Sequence, residues 1–191
     1  MTNNKDIIEI YTEPTPNPET MKFVFNREIY AEQSADFPTI ESTSYSPLAK
    51  NLFEFSFVNG VFIMNDFVTI TRMPGVEWEE IIPIMKEFLK SYIAAGEPIV
   101  FERPEENTKD YGADNDIVTQ IKEILETYIK PAVEVDGGQI SFRDFENGIV
   151  TVELRGSCSG CPSSTVTLKR GIEGMLTKMV PSVKEVVAHS L

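Results

Sequence analysis

The sequence predicts an α+β protein made of two small domains. Its 191 residues can form one large or two small domains, and an apolar fraction of 41% is enough for ordinary packed cores. Runs with a period of two residues, typical of strands, occur in both halves beside longer runs of helical periodicity. Pro, Gly and charged residues crowd together between the halves. We therefore predict an N-terminal domain over 1–97, a linker over 98–114 and a C-terminal domain over 115–191.

The N-terminal half is predicted to contain four strands and two helices. The four runs that alternate like strands are 7–11, 21–25, 61–64 and 67–71. Ser46 and Pro47 open the first helix, as N-cap and first helical residue. A longer amphipathic helix follows from Trp78 and closes at Gly96. No Cys or His precedes residue 158, so this half offers no soft metal ligand.

The C-terminal half is predicted to run helix, hairpin, loop, helix, strand. Apolar residues from Ile117 to Ile129 mark the first helix, and Pro131 lies just past its expected end. Asp136 belongs to a turn that leads into the hairpin, which reverses at Asn147-Gly148. A second helix begins at Pro162, and residues 183–188 form the last strand.

Both cysteines of the chain lie in the loop between that hairpin and the second helix. Cys158 and Cys161 have Cys-x-x-Cys spacing. At a helix N-terminus, unpaired N–H groups and the helix dipole are expected to favour thiolate, the form that attacks disulfides and binds metals. Four interpretations remain open: a structural disulfide, a redox pair, a zinc site and an iron–sulfur site. Because both metal sites normally take four protein ligands, each would require two chains.

The surrounding sequence resembles the NifU C-terminal (Nfu-type) domain of iron–sulfur cluster assembly proteins. The blocks that carry the resemblance are Ile129–Ile140, with Asp136-Gly137-Gly138, and Val152–Ser164, with Gly156-x-Cys158-x-x-Cys161-Pro162. The resemblance implies a carrier that binds a [4Fe–4S] cluster between two chains and delivers it to apo-proteins. The ligands it implies are Cys158 and Cys161 of each chain, which makes the cluster-bound form a homodimer. An upstream protein would supply the cluster.

Parts of the N-terminal half resemble the Nfu N-terminal domain that precedes the cluster domain in one branch of this family. The matching blocks are Thr15–Phe23, Ser46–Lys50 and Asp66–Thr71. The chain differs from full-length NifU, because it lacks the cysteine-bearing scaffold part and the [2Fe–2S] part. We therefore expect storage or delivery of clusters rather than assembly from iron and sulfide.

Composition limits the remaining functions. A net charge of −13 argues against nucleic acid as a partner, and no apolar run approaches the ~20 residues of a membrane helix. The polar start shows neither a secretory signal nor an Arg-rich transit segment, so we expect a cytoplasmic protein. No catalytic triad or carboxylate pair is evident, so we expect no enzyme. The alternatives to a cluster carrier are a thiol–disulfide oxidoreductase and a zinc-stapled interaction dimer.

Overall fold

The chain divides into two compact units, residues 1–104 and 105–191. The computed structural model describes residues 7–101, 116–159 and 162–190, without the side chains of residues 32, 33, 162–165 and 190. Both units combine helices with a sheet, so the prediction of an α+β protein with two domains is confirmed. Residues 102–114 of the predicted linker lie outside the described residues, and the domain boundaries stay a prediction.

The first unit is built on a five-stranded antiparallel sheet in the order β1-β2-β5-β4-β3. The strands are β1 (Ile10–Pro14), β2 (Thr20–Phe25), β3 (Tyr30–Phe37), β4 (Val58–Asn65) and β5 (Phe67–Arg72). The predicted β4–β5 hairpin is confirmed, and Asn65 takes the positive φ of 44° that its turn requires. Strand β3 was not predicted, because few residues of its polar sequence mark a buried face.

Two helices and the sheet enclose the core of this unit. Helix α1 (Pro47–Leu52) begins as predicted, with the Ser46 hydroxyl accepting a hydrogen bond from the Ala49 N–H at 3.0 Å. Helix α2 (Trp78–Ala95) ends at Gly96, whose φ of 71° is in the left-handed region. A 3₁₀ helix, Ile40–Tyr45, precedes α1. The largest buried side chains of this core include Phe23, Phe37, Leu48, Ile70 and Leu89.

The described residues of the second unit form a three-stranded sheet with β7 at the centre. Strands β6 (Gly138–Glu146) and β7 (Ile149–Gly156) are antiparallel, whereas β8 (Glu185–Ser190) runs parallel to β7. The helices are α3 (Asp116–Ile124), α4 (Lys130–Val135) and α5 (Pro162–Met179), with a π-helical turn, Leu125–Ile129, between α3 and α4. The predicted order of helix, hairpin, loop, helix and strand is confirmed.

Helix α5 is the crossover that joins the parallel strands β7 and β8. Its residues Ile172 and Leu176 are buried with Leu154 of β7. The Glu173 carboxylate also accepts a hydrogen bond from the Val186 N–H of β8 at 2.9 Å. The loop that carries the cysteines therefore starts at the carboxyl end of the central strand.

One helix boundary differs from the prediction. The first helical segment does not end before Pro131, because the chain continues through the π-helical turn into α4. Pro131 lies in the first turn of α4, where a missing N–H costs little. This continuation brings the Asp136 turn to the start of β6.

Candidate metal centre

The main chain turns sharply out of β7 at Gly156. Its φ of 68° lies in the left-handed region, which favours glycine. The Gly156 carbonyl then accepts hydrogen bonds from the Ser159 N–H at 3.0 Å and from the Ser159 hydroxyl at 2.8 Å. These bonds close a tight turn that contains Ser157 and Cys158.

A second turn, Asp136-Gly137, holds this loop from the other side of the hairpin. The Ser157 N–H donates to the Gly137 carbonyl at 3.2 Å, and the Ser157 hydroxyl donates to the Asp136 carbonyl. Ser157 is buried, so both bonds are shielded from water. The interpretation of Asp136 as a turn residue is supported, since its backbone carbonyl organises the loop.

The side chain of Cys158 is buried in the core of the second unit. Only 6% of the residue is exposed, and its neighbours in that core include Leu154 and Ile140. Burial raises the pKa of the Cys158 thiol to about 11, against a smaller lowering by the Ser157 hydroxyl, whose oxygen is 3.8 Å from the sulfur. The negative charge of Asp136 raises this pKa further. Cys158 is therefore a neutral thiol at pH 7 in this structure.

The expectation that a helix N-terminus would favour the thiolate was wrong for Cys158. Helix α5 begins at Pro162, four positions after Cys158, and the helix-terminus effect falls off within one turn. Burial of the sulfur is the dominant influence instead. Cys161 lies outside the described residues, so its part in a site with Cys158 stays a prediction.

The described residues of one chain do not form a complete metal site. Among 7–101, 116–159 and 162–190, no group of three or more His, Cys, Asp or Glu side chains could hold a metal ion. His189 is exposed on β8, in register with Glu153 of β7. An open groove elsewhere in this unit offers no thiol, imidazole or carboxylate, since it is lined by Tyr128, Gly171, Met175, Lys178 and Met179.

A buried charged group beside the loop was missed from the sequence. Glu153 of β7 is 2% exposed, and its carboxylate binds the Arg155 Nε at 2.9 Å and the guanidinium of Arg143. In the sequence, Glu153 occupies a position expected to face away from the core. The spacing of Glu153 and Arg155, two apart on one strand, puts them on the same face and was the available signal.

Two family models match the chain. One, described as "Scaffold protein Nfu/NifU N terminal", matches residues 10–96, and the other, described as "NifU-like domain", matches residues 121–187. The chain belongs to the Nfu/NifU family. The predicted resemblance of both halves is thereby confirmed, and the second match spans the loop that carries Cys158 and Cys161.

Curated relatives of this Nfu/NifU family member carry the name "NFU1 iron-sulfur cluster scaffold homolog, mitochondrial". The relative from Drosophila persimilis is 42% identical over 179 residues, covering 93% of this chain and 64% of its own length. The relative from Drosophila ananassae is 43% identical, covering 93% and 63%. A solution NMR structure of a NifU-like protein from Saccharomyces cerevisiae is 25% identical with a TM-score of 0.46, covering 54% of this chain and 92% of that one.

The prediction of a cytoplasmic protein was wrong. The relatives are named mitochondrial, and the comparison points to that compartment. This chain spans less than two thirds of their length, so the composition of its first residues could not decide the compartment. In the described part of the chain, none of the helices is both long and apolar enough to cross a membrane.

Proposed function

We propose that this Nfu/NifU family member carries a [4Fe–4S] cluster as cargo, bound by Cys158 and Cys161 of two chains, and transfers it to apo-proteins. One observation carries the proposal: the loop of the matched NifU-like domain is held at the end of β7 by hydrogen bonds from both sides, which positions Cys158. The relatives are named as iron–sulfur cluster scaffolds, which supports the same function.

The ligand count explains why two chains are needed. A [4Fe–4S] cluster normally takes four thiolates, and each chain has two cysteines. Among the described residues, no cluster of other ligating side chains is available to replace them. Two chains that face each other through their Cys158 loops, most simply about a two-fold axis, would supply the full set.

Transfer would proceed by ligand exchange at iron. Incoming thiolates of the apo-protein replace Cys158 and Cys161 one at a time, and each released cysteine takes up a proton. The burial that raises the pKa of Cys158 to about 11 favours this protonated, metal-free state. The resting structure therefore assists release of the cargo, whereas loading must remove a proton from the thiol.

The same burial counts against a thiol–disulfide oxidoreductase. Such enzymes attack with a thiolate whose pKa is lowered, and Cys158 has a raised pKa and little exposure. A zinc-stapled dimer uses the same cysteines, so metal analysis must separate it from a cluster carrier.

Anaerobic reconstitution followed by iron, sulfide and zinc analysis tests the proposal. We expect about two irons and two sulfides per chain, because four of each are shared by two chains. Cys158→Ser and Cys161→Ser should each abolish the cluster, whereas His189→Ala, at an exposed position of β8, should retain it. About half a zinc per chain and no sulfide would instead identify the stapled dimer. A cysteine variant with full iron and sulfide would refute the ligand assignment.

We propose that residues 1–112, which comprise the N-terminal domain and most of the linker, dock partner proteins. Residues 1–112 carry 19 acidic and nine basic side chains, a net charge of −10, and contain no Cys or His. Attraction to a basic surface should weaken with salt, since exposed charges are screened beyond ~8–10 Å at physiological ionic strength. Transfer rates that are equal at low and high salt would contradict docking by charge.

A further inference from the structure

Gly138 lies where the sulfur of Cys158 packs against the start of β6. It is in register with Gly156 of β7, two residues before Cys158. A Cβ atom built on Gly138 would be 2.9 Å from the Cys158 Sγ and 3.3 Å from the Cys158 Cβ. It would also be 2.7 Å from the carbonyl oxygen of Arg155. Two of these separations are shorter than real Cβ contacts, so any other residue would have to displace the Cys158 sulfur and strain against the Arg155 carbonyl.

Backbone conformation does not explain this glycine. Gly137 and Gly156 beside it have φ values of 79° and 68°, which favour glycine for conformational reasons. Gly138 is outside that left-handed region, so its backbone would accept an L-residue. The requirement at Gly138 is therefore space, and the sulfur of Cys158 uses part of that space.

We propose that Gly138 is a positioning residue for Cys158: the space left by its absent side chain is the seat in which the Cys158 sulfur lies. The main chain on both sides of the seat is fixed, because Ser157 is bonded to the Gly137 and Asp136 carbonyls. A larger residue at 138 therefore moves the sulfur outward rather than moving the whole loop. The role of the seated sulfur as a cluster ligand rests on the proposed function, whereas the seat itself does not.

Alkylation of the metal-free protein measures the seat directly. In a Cys161→Ser background, Cys158 is the only remaining thiol of the full chain. Adding Gly138→Ala should raise the rate of its reaction with iodoacetamide at pH 7 about tenfold, equivalent to ~1.4 kcal/mol of lost burial. Gly171→Ala is the matched glycine control and should leave the rate unchanged, because apart from the adjacent backbone of its own helix no atom lies within 4 Å of the added Cβ.

A second control separates displacement of the sulfur from general loss of stability. Val186→Ala removes buried volume from β8 in the same core without touching the seat. At a temperature well below both melting points, it should change the alkylation rate less than about twofold, which is ~0.4 kcal/mol. The proposal would be overturned if Gly138→Ala left the alkylation rate unchanged, or if Val186→Ala raised that rate as much as Gly138→Ala does.

Removal of the sulfur provides a test even where Gly138→Ala alone fails to fold. Cys158→Ala empties part of the seat, so Gly138→Ala should lower the melting temperature clearly less in that background than with Cys158 present. The Arg155 carbonyl still opposes the new Cβ, so the rescue should be partial. If Gly138→Ala lowered the melting temperature equally in both backgrounds, the clash would be with the Arg155 carbonyl alone, and the proposal would be refuted.

Cluster loading distinguishes this proposal from the function on which it draws. With both cysteines present, the Gly138→Ala variant should bind less iron and sulfide than the unmodified protein after the same reconstitution. If the unmodified protein bound no cluster, the proposed function would be refuted. The alkylation and rescue results would still decide whether Gly138 positions the sulfur.

Discussion

Replacement of Glu153 by Gln should destabilise the C-terminal unit strongly, although the two side chains have nearly the same shape. Glu153 is 2% exposed, and the side chains of its partners Arg155 and Arg143 are 12% and 33% exposed. Gln keeps the volume but removes the charge, so the charge-assisted hydrogen bond from the Arg155 Nε weakens and the ion pair with Arg143 is lost. A hydrogen bond to a charged group contributes about 1.5–3 kcal/mol, and the partial exposure of Arg143 favours a total near 2 kcal/mol.

That cost converts into a large shift of the melting temperature. For a domain of the size of residues 105–191, 1 kcal/mol corresponds to about 4–8 °C, so we expect a decrease of about 8–16 °C. Scanning calorimetry on the metal-free full chain measures this shift in melting temperature. The transition that belongs to the C-terminal unit is the one that Leu176→Ala also lowers. The control is Glu185→Gln, whose half-exposed carboxylate pairs with Lys169 at 3.6 Å and should change the transition by only a few degrees, since surface pairs contribute about 0–1 kcal/mol. Equal shifts for Glu153→Gln and Glu185→Gln would refute the reasoning.

Four further predictions concern the thiol, which has two, the first helix and the oligomer. In the Cys161→Ser chain, alkylation should keep accelerating above pH 9, because burial raises the pKa of Cys158 to about 11; a plateau near pH 9 would contradict the burial. The neutral thiol stabilises the fold fully below pH 9, and this contribution is lost as pH rises towards 11, which urea titrations across that range can follow. Ser46→Ala should cost about 1–2 kcal/mol in the N-terminal transition, because its hydroxyl caps α1 and donates to the Ile99 carbonyl at 2.6 Å; an unchanged melting curve would exclude that role. Light scattering with size exclusion should find a dimer with cluster and mainly a monomer after anaerobic chelation, and a cluster-bound monomer would refute bridging.

The elements that local sequence determines were predictable. Asn147-Gly148 indicated the β6–β7 hairpin, and both residues take positive φ values of 54° and 88°. Ser46-Pro47 indicated the start of α1 for a similarly local reason. Strand β3 was not predictable in this way, because its place at the sheet edge depends on pairing with β4, far along the chain.

The environment of the candidate site was less predictable than its residues. The Cys-x-x-Cys motif identified Cys158 as a candidate, but its place before a helix suggested a thiolate. Its burial depends on Gly138, which a hairpin of two strands brings into register with Gly156. The burial of Glu153 has the same origin, since Arg143 lies on the neighbouring strand. Both features require the register of β6 on β7, which the sequence pattern alone does not give.

The two kinds of strand pairing in the C-terminal unit have a consequence for the order of folding. The hairpin that seats Cys158 closes through a short turn at Asn147-Gly148, an event of about 1–10 μs in isolated hairpins. The parallel pairing of β8 must await the whole crossover through α5, and such non-local pairing forms later. During synthesis, the chain up to Ser159 leaves the ribosome before α5 and β8. Because Ile172 and Leu176 of α5 and Val186 of β8 share the core that buries Cys158, we expect the Gly138 seat to form first and the thiol to become fully protected only when these elements pack. Protection from alkylation during refolding should therefore be complete only when the full circular dichroism signal has recovered.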